Sequence, residues 1–290
     1  MNFDTQMIKS PMNYIGGKYK LLSQILPLFP ENIRIFADIF AGGCNVGINA
    51  KSKKTIFNDT LTYLIDLYLE MKNNSKEYIF EYIEEKIDLL RLSQTNQAGY
   101  LKLREEYNRD RKPLDLFLLS AYSFNHQIRF NNNHQFNTPF GKDRSSYNQK
   151  MKENLMNFME VLHNKEVEFS TYSFENIDYL QFNSDDLIYC DPPYLISLGT
   201  YNDGKRGFDG WNSDKEIKLL SWLDKLNKHN IRFALSNVTK HKNKENVILK
   251  NWLDERNYNI YHLDFNYANS SYHRKDRNKN GSVEVLITNY

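Results

Sequence analysis

Residues 33–59 read IRIFADIFAGGCNVGINAKSKKTIFND, and the alternation inside them decides the fold class. Ile33 to Phe40 is a short, nearly continuous apolar run ending in the glycine-bearing turn Ala41-Gly42-Gly43-Cys44, the pattern of a buried strand. Val46 to Ala50 opens a helix, Thr55-Ile56-Phe57 gives a second strand that stops at Asn58-Asp59, and Tyr63 to Met71 has helical spacing through Leu64, Leu67, Tyr68 and Met71. Strand, helix, strand, helix predicts an α/β chain on an open parallel sheet, with ligands at the carboxyl ends of its strands. The pattern returns at Asp186 to Cys190, Ile231 to Leu235 and Ser282 to Ile287, with helices predicted over Asp214 to His229 and Lys244 to Glu255 between them.

From about Ser75 to Asn164 the texture changes to long charged amphipathic segments, Tyr78 to Leu92 and Tyr100 to Tyr107, followed by an aromatic and Asn-rich stretch from Tyr122 to Tyr147. This reads as an inserted second domain. Within it, Arg129 to Phe136 sets turn-forming Asn residues between aromatic flanks, which suits a hairpin or an ordered loop.

The 290 residues allow one large domain or two moderate ones, and 40% hydrophobic with 26% charged residues places the chain among globular proteins. No apolar run reaches about 18 residues, and Met1 to Pro11 is polar and mixed, so the expectation is a cytoplasmic protein with no membrane segment. Two cysteines, Cys44 and Cys190, are too few for a disulfide framework and are expected to be reduced. No metal is expected: His126 and His134 share no recognisable spacing with a carboxylate or cysteine partner. Net charge is only +2, which permits a nucleic-acid partner without demanding one. Basic residues nevertheless gather at Lys51 to Lys54, Arg109 to Lys112, Lys240 to Lys244 and His273 to Lys279, each equally readable as solvated surface.

The sharpest chemical feature is Asp191-Pro192-Pro193-Tyr194, directly after a predicted strand. Asp and Pro are also ordinary turn formers. Two prolines, however, fix the backbone and remove two N–H donors, leaving carbonyl oxygens and the Asp191 carboxylate as acceptors beside the flat face of Tyr194. A loop of acceptors beside an aromatic suits an amino group on a planar base. The glycine turn is weak alone, since the G-x-G-x-x-G dinucleotide pattern is absent. Asp59, at the end of the second strand, is placed to accept from ribose hydroxyls and shifts the reading toward an adenosine-containing cofactor. Ahead of the first strand, Tyr14-Ile15-Gly16-Gly17-Lys18 adds a glycine pair beside a lysine.

Together these segments resemble the Dam-like DNA adenine N6-methyltransferases of the D12 class, alpha group. Tyr14 to Leu22 is similar to that family's aromatic-x-G-G-K motif, Asp38 to Gly47 to its F-x-G-x-G, Asn58-Asp59 to its acidic second-strand end, and Asp191 to Tyr194 to its D-P-P-Y. Phe124 to Asn131 with Phe136 to Gly141 resembles its DNA-reading hairpin, and Ser282 to Tyr290 its last strand. The departure is Cys44, which stands where the second glycine of F-x-G-x-G falls and is expected to crowd the methionine end of the cofactor.

The resemblance implies a Rossmann-like S-adenosylmethionine-dependent methyltransferase fold, with residues 1–74 and 165–290 catalytic and 75–164 an inserted, mainly helical target-recognition domain carrying a β-hairpin. It implies S-adenosyl-L-methionine as cofactor, held by Tyr14, Lys18, Asp38, Phe40, Gly42, Asp59 and Asp191. It assigns catalysis to Asp191, Pro192 and Tyr194, acting on N6 of an adenine flipped out of the duplex. Double-stranded DNA is the implied partner, contacted by Asn125, Arg129, Asn131, Asn137, Lys142 and Arg144, with Arg129 on a guanine edge and the basic loop Tyr272 to Lys279 along the backbone. The enzyme is expected to be monomeric and paired with a restriction endonuclease or employed in phage or housekeeping methylation. Methylation of cytosine N4 or RNA adenine, and an inactive DNA-binding module, are the alternatives.

Overall fold

A computed structural model describes residues 7–196, 210–264 and 281–290. After a 3-10 turn at Lys18–Leu21 and the short helix α1 (Leu22–Ile25), the expected alternation appears as β1 (Ile35–Asp38), α2 (Asn45–Asn49), β2 (Lys54–Asn58) and α3 (Thr62–Asn73). Four helices follow, α4 (Lys76–Leu90), α5 (Gln97–Asp110), α6 (Pro113–Tyr122) and α7 (Gln149–Asn164). The sheet resumes with β3 (Val167–Ser170) and β4 (Leu187–Cys190), then α8 (Ser213–Lys228), β5 (Arg232–His241), β6 (Lys244–Glu245), α9 (Val247–Asp254), β7 (Asn259–Leu263) and β8 (Ser282–Thr288).

The sheet order is β3-β2-β1-β4-β5-β8-β7, with β6 paired to β5 alone. The first five strands are parallel; β8 runs antiparallel between β5 and β7. Every residue of β4 is buried, as expected for a parallel strand covered on both faces. Alternate residues then serve two cores: Phe36, Leu187 and Tyr189 pack with Leu22 and Ile25 of α1, whereas Ala37, Ile188 and Cys190 pack with Leu219 and Leu223 of α8 and Trp252 of α9. The strand order reverses between β1 and β4. At that switch point the connections leave in opposite directions and a crevice opens beyond the strand ends, which sets the glycine turn after β1 beside the Asp-Pro-Pro-Tyr loop after β4.

A third core joins Phe57 and α3 to α4–α7. At its centre α6 buries nine of its ten residues, Leu114 to Tyr122; a helix buried on every side belongs inside a bundle, and its one buried charge, Asp115, is met by Tyr82 and Lys86. The expected hairpin is present as a single antiparallel bridge, Phe130 to Phe136, closed by Asn131 N–H donating to the Gln135 carbonyl at 2.9 Å and Asn137 N–H to the Arg129 carbonyl at 3.0 Å. One predicted helix is corrected: Lys244 to Glu255 begins as a strand, because Lys244 and Glu245 pair with His241 and Lys240, and α9 starts only after Asn246 caps it by accepting from Leu249 N–H. Cys44 and Cys190 are both free and buried. The basic stretch Tyr272 to Lys279 lies outside the described residues. Among the described residues no helix is long and apolar enough to cross a membrane.

Candidate active site

The crevice at the switch point is a cavity of about 400 Å³. Tyr14, Lys18, Asp38, Phe40, Gly42, Asp59, Asp191, Pro192 and Tyr194 all line it, and so does Arg129. Asn125, Asn137, Lys142 and Arg144 are exposed and do not line it. Arg144 stacks its guanidinium 5.2 Å from the centre of the Phe124 ring, while Asn131 spends its side chain on its own turn, accepting from Asn133 N–H at 3.0 Å and Gln135 N–H at 2.9 Å.

The glycine turn is held from both sides. Asp59 accepts from Gly42 N–H at 2.8 Å with one carboxylate oxygen and from Leu61 N–H at 2.8 Å with the other, and Tyr68 donates its hydroxyl to the Gly42 carbonyl at 2.9 Å. Gly42 has φ of +46°, and a Cβ there would come within 2.8 Å of the Tyr14 ring, so both conformation and space require glycine. Cys44 also adopts a left-handed φ of 57°. Its thiol does not crowd the cavity as the sequence had suggested: the side chain turns into the core with Met12, Ala41 and Ile48 and is absent from the cavity lining.

Asp191 is engaged on both oxygens. Lys18 Nζ lies 2.7 Å from one, and the Tyr194 hydroxyl lies 3.0 Å from the other. Lys18 also donates to the Gly16 carbonyl at 2.8 Å and sits 4.9 Å from the centre of the Tyr194 ring. Asp38 is buried and accepts from Gly47 N–H at 3.2 Å. Burial raises the carboxyls of Asp38, Asp59 and Asp191 above the ordinary carboxylate range; the Asp191 charge raises Asp38 further, the Leu61 and Gly42 amides oppose the shift of Asp59, and Lys18 opposes that of Asp191. Three carboxyls line the cavity together with Lys18, Lys215 and Arg129, and the acceptors among them suit an ammonium or sulfonium charge and an amino group. On the far wall Phe40 meets Trp211 edge-on at 5.6 Å and Phe174 at 5.9 Å, an apolar slot for a flat ring.

Two contributors escaped the sequence reading. Trp211 is fixed through its indole N–H, which donates at 2.7 Å to Glu216, a carboxylate with no exposed surface that also accepts from Asn237 and Asn246 at 3.0 Å each. Glu284 of β8 lies 2.8 Å from the Tyr194 hydroxyl and 3.6 Å from Lys18 Nζ. The signal for Glu284 was present: it is the one charged residue in the run Val283 to Ile287.

Sheet order, switch-point cavity and the Asp-Pro-Pro-Tyr loop fit one class of α/β proteins: the chain belongs to the D12 class N6 adenine-specific DNA methyltransferase family, which it matches over residues 14–269. It is 53% identical over 283 residues to the modification methylase StsI of Streptococcus sanguinis and 50% identical over 283 residues to the type II methyltransferase M.FokI of Planomicrobium okeanokoites, covering 98% of this chain in both cases. The chain spans 43% of the length of each of those proteins. It is also 29% identical over 231 residues to the DNA adenine methylase of Salmonella typhi, 78% of this chain and 79% of that one.

Proposed function

We propose that this chain methylates N6 of adenine in DNA, with S-adenosyl-L-methionine as methyl donor. The observation that carries the reading is the placement of Asp191, half-buried and held by Lys18 and Tyr194, in the same cavity as the glycine turn and its Asp59 clamp. Asp38, Asp59 and the Phe40–Trp211–Phe174 slot fit the donor in kind: acceptors for an ammonium or sulfonium charge and for ribose hydroxyls, and an apolar slot for its adenine. When bound, the donor supplies a methyl group on a positively charged sulfur.

The chain's own residues perform the rest. The Asp191 carboxylate and the Pro192 carbonyl accept from the two N6 hydrogens, which orients the nitrogen lone pair toward the methyl group. Tyr194 stacks on the extruded base and offsets part of the few kcal/mol that unstacking costs. The amine attacks as a neutral nucleophile, so no strong base is needed before transfer, and Asp191 is the nearest acceptor for the proton released afterwards. Residues 75–164 read the target, with Arg129 at the junction of hairpin and cavity on a guanine edge, Asn125 and Asn137 on bases, and Lys142 and Arg144 on phosphates. The names of two relatives reported above, a modification methylase and a type II methyltransferase, support a role beside a restriction endonuclease.

The test is incubation of the purified protein with S-adenosylmethionine and unmethylated genomic DNA, followed by single-molecule mapping of modified bases. N6-methyladenine at one short motif, absent with Asp191→Ala, is the expected result. Unmodified DNA under conditions where the donor measurably binds overturns the reading.

A further inference from the structure

Glu284 lies in β8 opposite Val238 of β5 and Leu263 of β7, both apolar, and its residue is 6% exposed. Among the described residues the titratable and charged groups that face it are Lys18, Asp191, Tyr194 and, beyond them, Tyr189, whose hydroxyl is engaged with Ser236 at 2.8 Å. One hydroxyl, that of Tyr194, stands within hydrogen-bond distance of two carboxyl groups, 3.0 Å from Asp191 and 2.8 Å from Glu284.

A tyrosine hydroxyl has one hydrogen to donate. With both carboxyls ionised, one of these two short contacts would set lone pair against lone pair beside an excess negative charge, with the Glu284 side chain only 8% exposed. One further proton removes the conflict. Lys18 Nζ is 2.7 Å from Asp191 but 3.6 Å from Glu284, so the lysine stabilises the anion on Asp191 and the proton belongs on Glu284. The hydrogen bonds then run in one direction, from Glu284 to the Tyr194 oxygen and from the Tyr194 hydroxyl to Asp191.

We propose that Glu284 is a positioning residue that works as a protonated acid: it donates to Tyr194 and thereby obliges Tyr194 to donate to Asp191, keeping Asp191 an ionised, aligned acceptor for the substrate amino group and pinning the aromatic ring by its hydroxyl. The inference deepens the methyltransferase reading and rests on it for its kinetic consequence. Burial acts in the same sense, since it raises the Glu284 carboxyl above its ordinary range while Lys18 opposes the shift.

The test compares the wild-type chain with Glu284→Gln and Glu284→Ala. Glutamine keeps a donor toward the Tyr194 oxygen and mimics the protonated acid; alanine removes the partner. In the infrared difference spectrum at neutral pH, the carbonyl band of a protonated carboxylic acid is expected in the wild type and missing in Glu284→Gln. In steady state, Glu284→Ala should lower kcat about tenfold, as when a buried hydrogen-bond partner is deleted and its neighbours are left unsatisfied, with KM for the donor little changed. Glu284→Gln should recover most of that loss and also abolish the alkaline fall in kcat that deprotonation of Glu284 produces in the wild type. A purely structural glutamate would move neither the band nor the pH profile. Absence of the band, or a glutamine variant as impaired as the alanine one, overturns the proposal. A wild-type chain that binds donor but never methylates DNA refutes the methyltransferase reading instead, and the infrared comparison still decides where the proton sits.

Discussion

Asp59 holds the glycine turn and faces the cavity, and two readouts of one substitution tell these roles apart. Its carboxylate oxygens accept from Gly42 N–H and Leu61 N–H, each at 2.8 Å, so it ties the glycine turn to the start of α3 as well as facing the cavity. Hydrogen bonds to a charged group contribute about 1.5–3 kcal/mol each. Water in the cavity can reach the two amides once the carboxylate is gone, and burial already works against the charged form of Asp59, so both corrections push toward the low end. Asp59→Ala should therefore cost about 2–3 kcal/mol of folding stability, read as a lower urea midpoint at unchanged m. Asp59→Asn retains one oxygen acceptor but turns an amide donor toward the other N–H group, and should cost about half as much. Both should weaken donor binding by at least about tenfold, or 1.4 kcal/mol, because the turn and a cavity-facing acceptor are lost together. An alanine variant that unfolds within about 0.5 kcal/mol of wild type, the range of ordinary surface changes, would refute the clamp; full stability with weak binding would leave Asp59 a pure ligand contact.

Cys44→Gly relieves a left-handed backbone that costs a non-glycine residue about 1–2 kcal/mol and gives up a small buried side chain of similar value, so stability should change little and donor affinity, by calorimetry, should stay within about threefold; a large gain in affinity would show that the thiol does crowd the site. Leu118→Ala, at the centre of α6 with no exposed surface, should destabilise by about 2–5 kcal/mol, and a thermal melt unchanged by this variant would contradict the bundle core. The carboxyls of Asp38, Asp59 and Asp191 all sit above their ordinary values in the ligand-free fold, so the stability they contribute is fully present below about pH 4 and is lost as pH rises through the raised values. A cationic donor favours their ionised forms, so its apparent affinity should rise with pH across that window with release of protons, measurable as a dependence of binding heat on buffer; zero proton exchange would show the carboxyls already ionised.

Much of this was legible from residue order. Apolar runs closed by Gly42–Gly43 and by Asp191–Tyr194 marked β1 and β4, and their meeting across the switch point follows from the parallel α/β pattern. What stayed hidden has physical reasons. α6 carries no polar face, so no helical period shows in its sequence; it is buried on every side. β3 and β7 are edge strands, mostly half-buried or exposed, with too few apolar residues to stand out. Asn131 reads as a candidate base contact from its type and neighbourhood, yet its side chain is consumed by local backbone donors, which composition does not reveal. Glu284 was visible as a charge inside an apolar strand, but only the fold brings it to Lys18 and Tyr194, residues far away in the chain.

The hairpin's two ends have different freedoms. Ile128, Arg129 and Phe130 form part of the cavity wall, and Phe130 is fixed by stacking on Tyr63 at 4.7 Å and by the edge of Phe136 at 5.7 Å. Residues 131–135, beyond that aromatic lock, close a turn on themselves through Asn131. For anyone re-engineering this chain, a swap confined to the tip would give up little beyond the edge contact of His134 with Tyr63 at 6.4 Å, whereas a longer transplant that replaces 128–130 would rebuild the cavity wall.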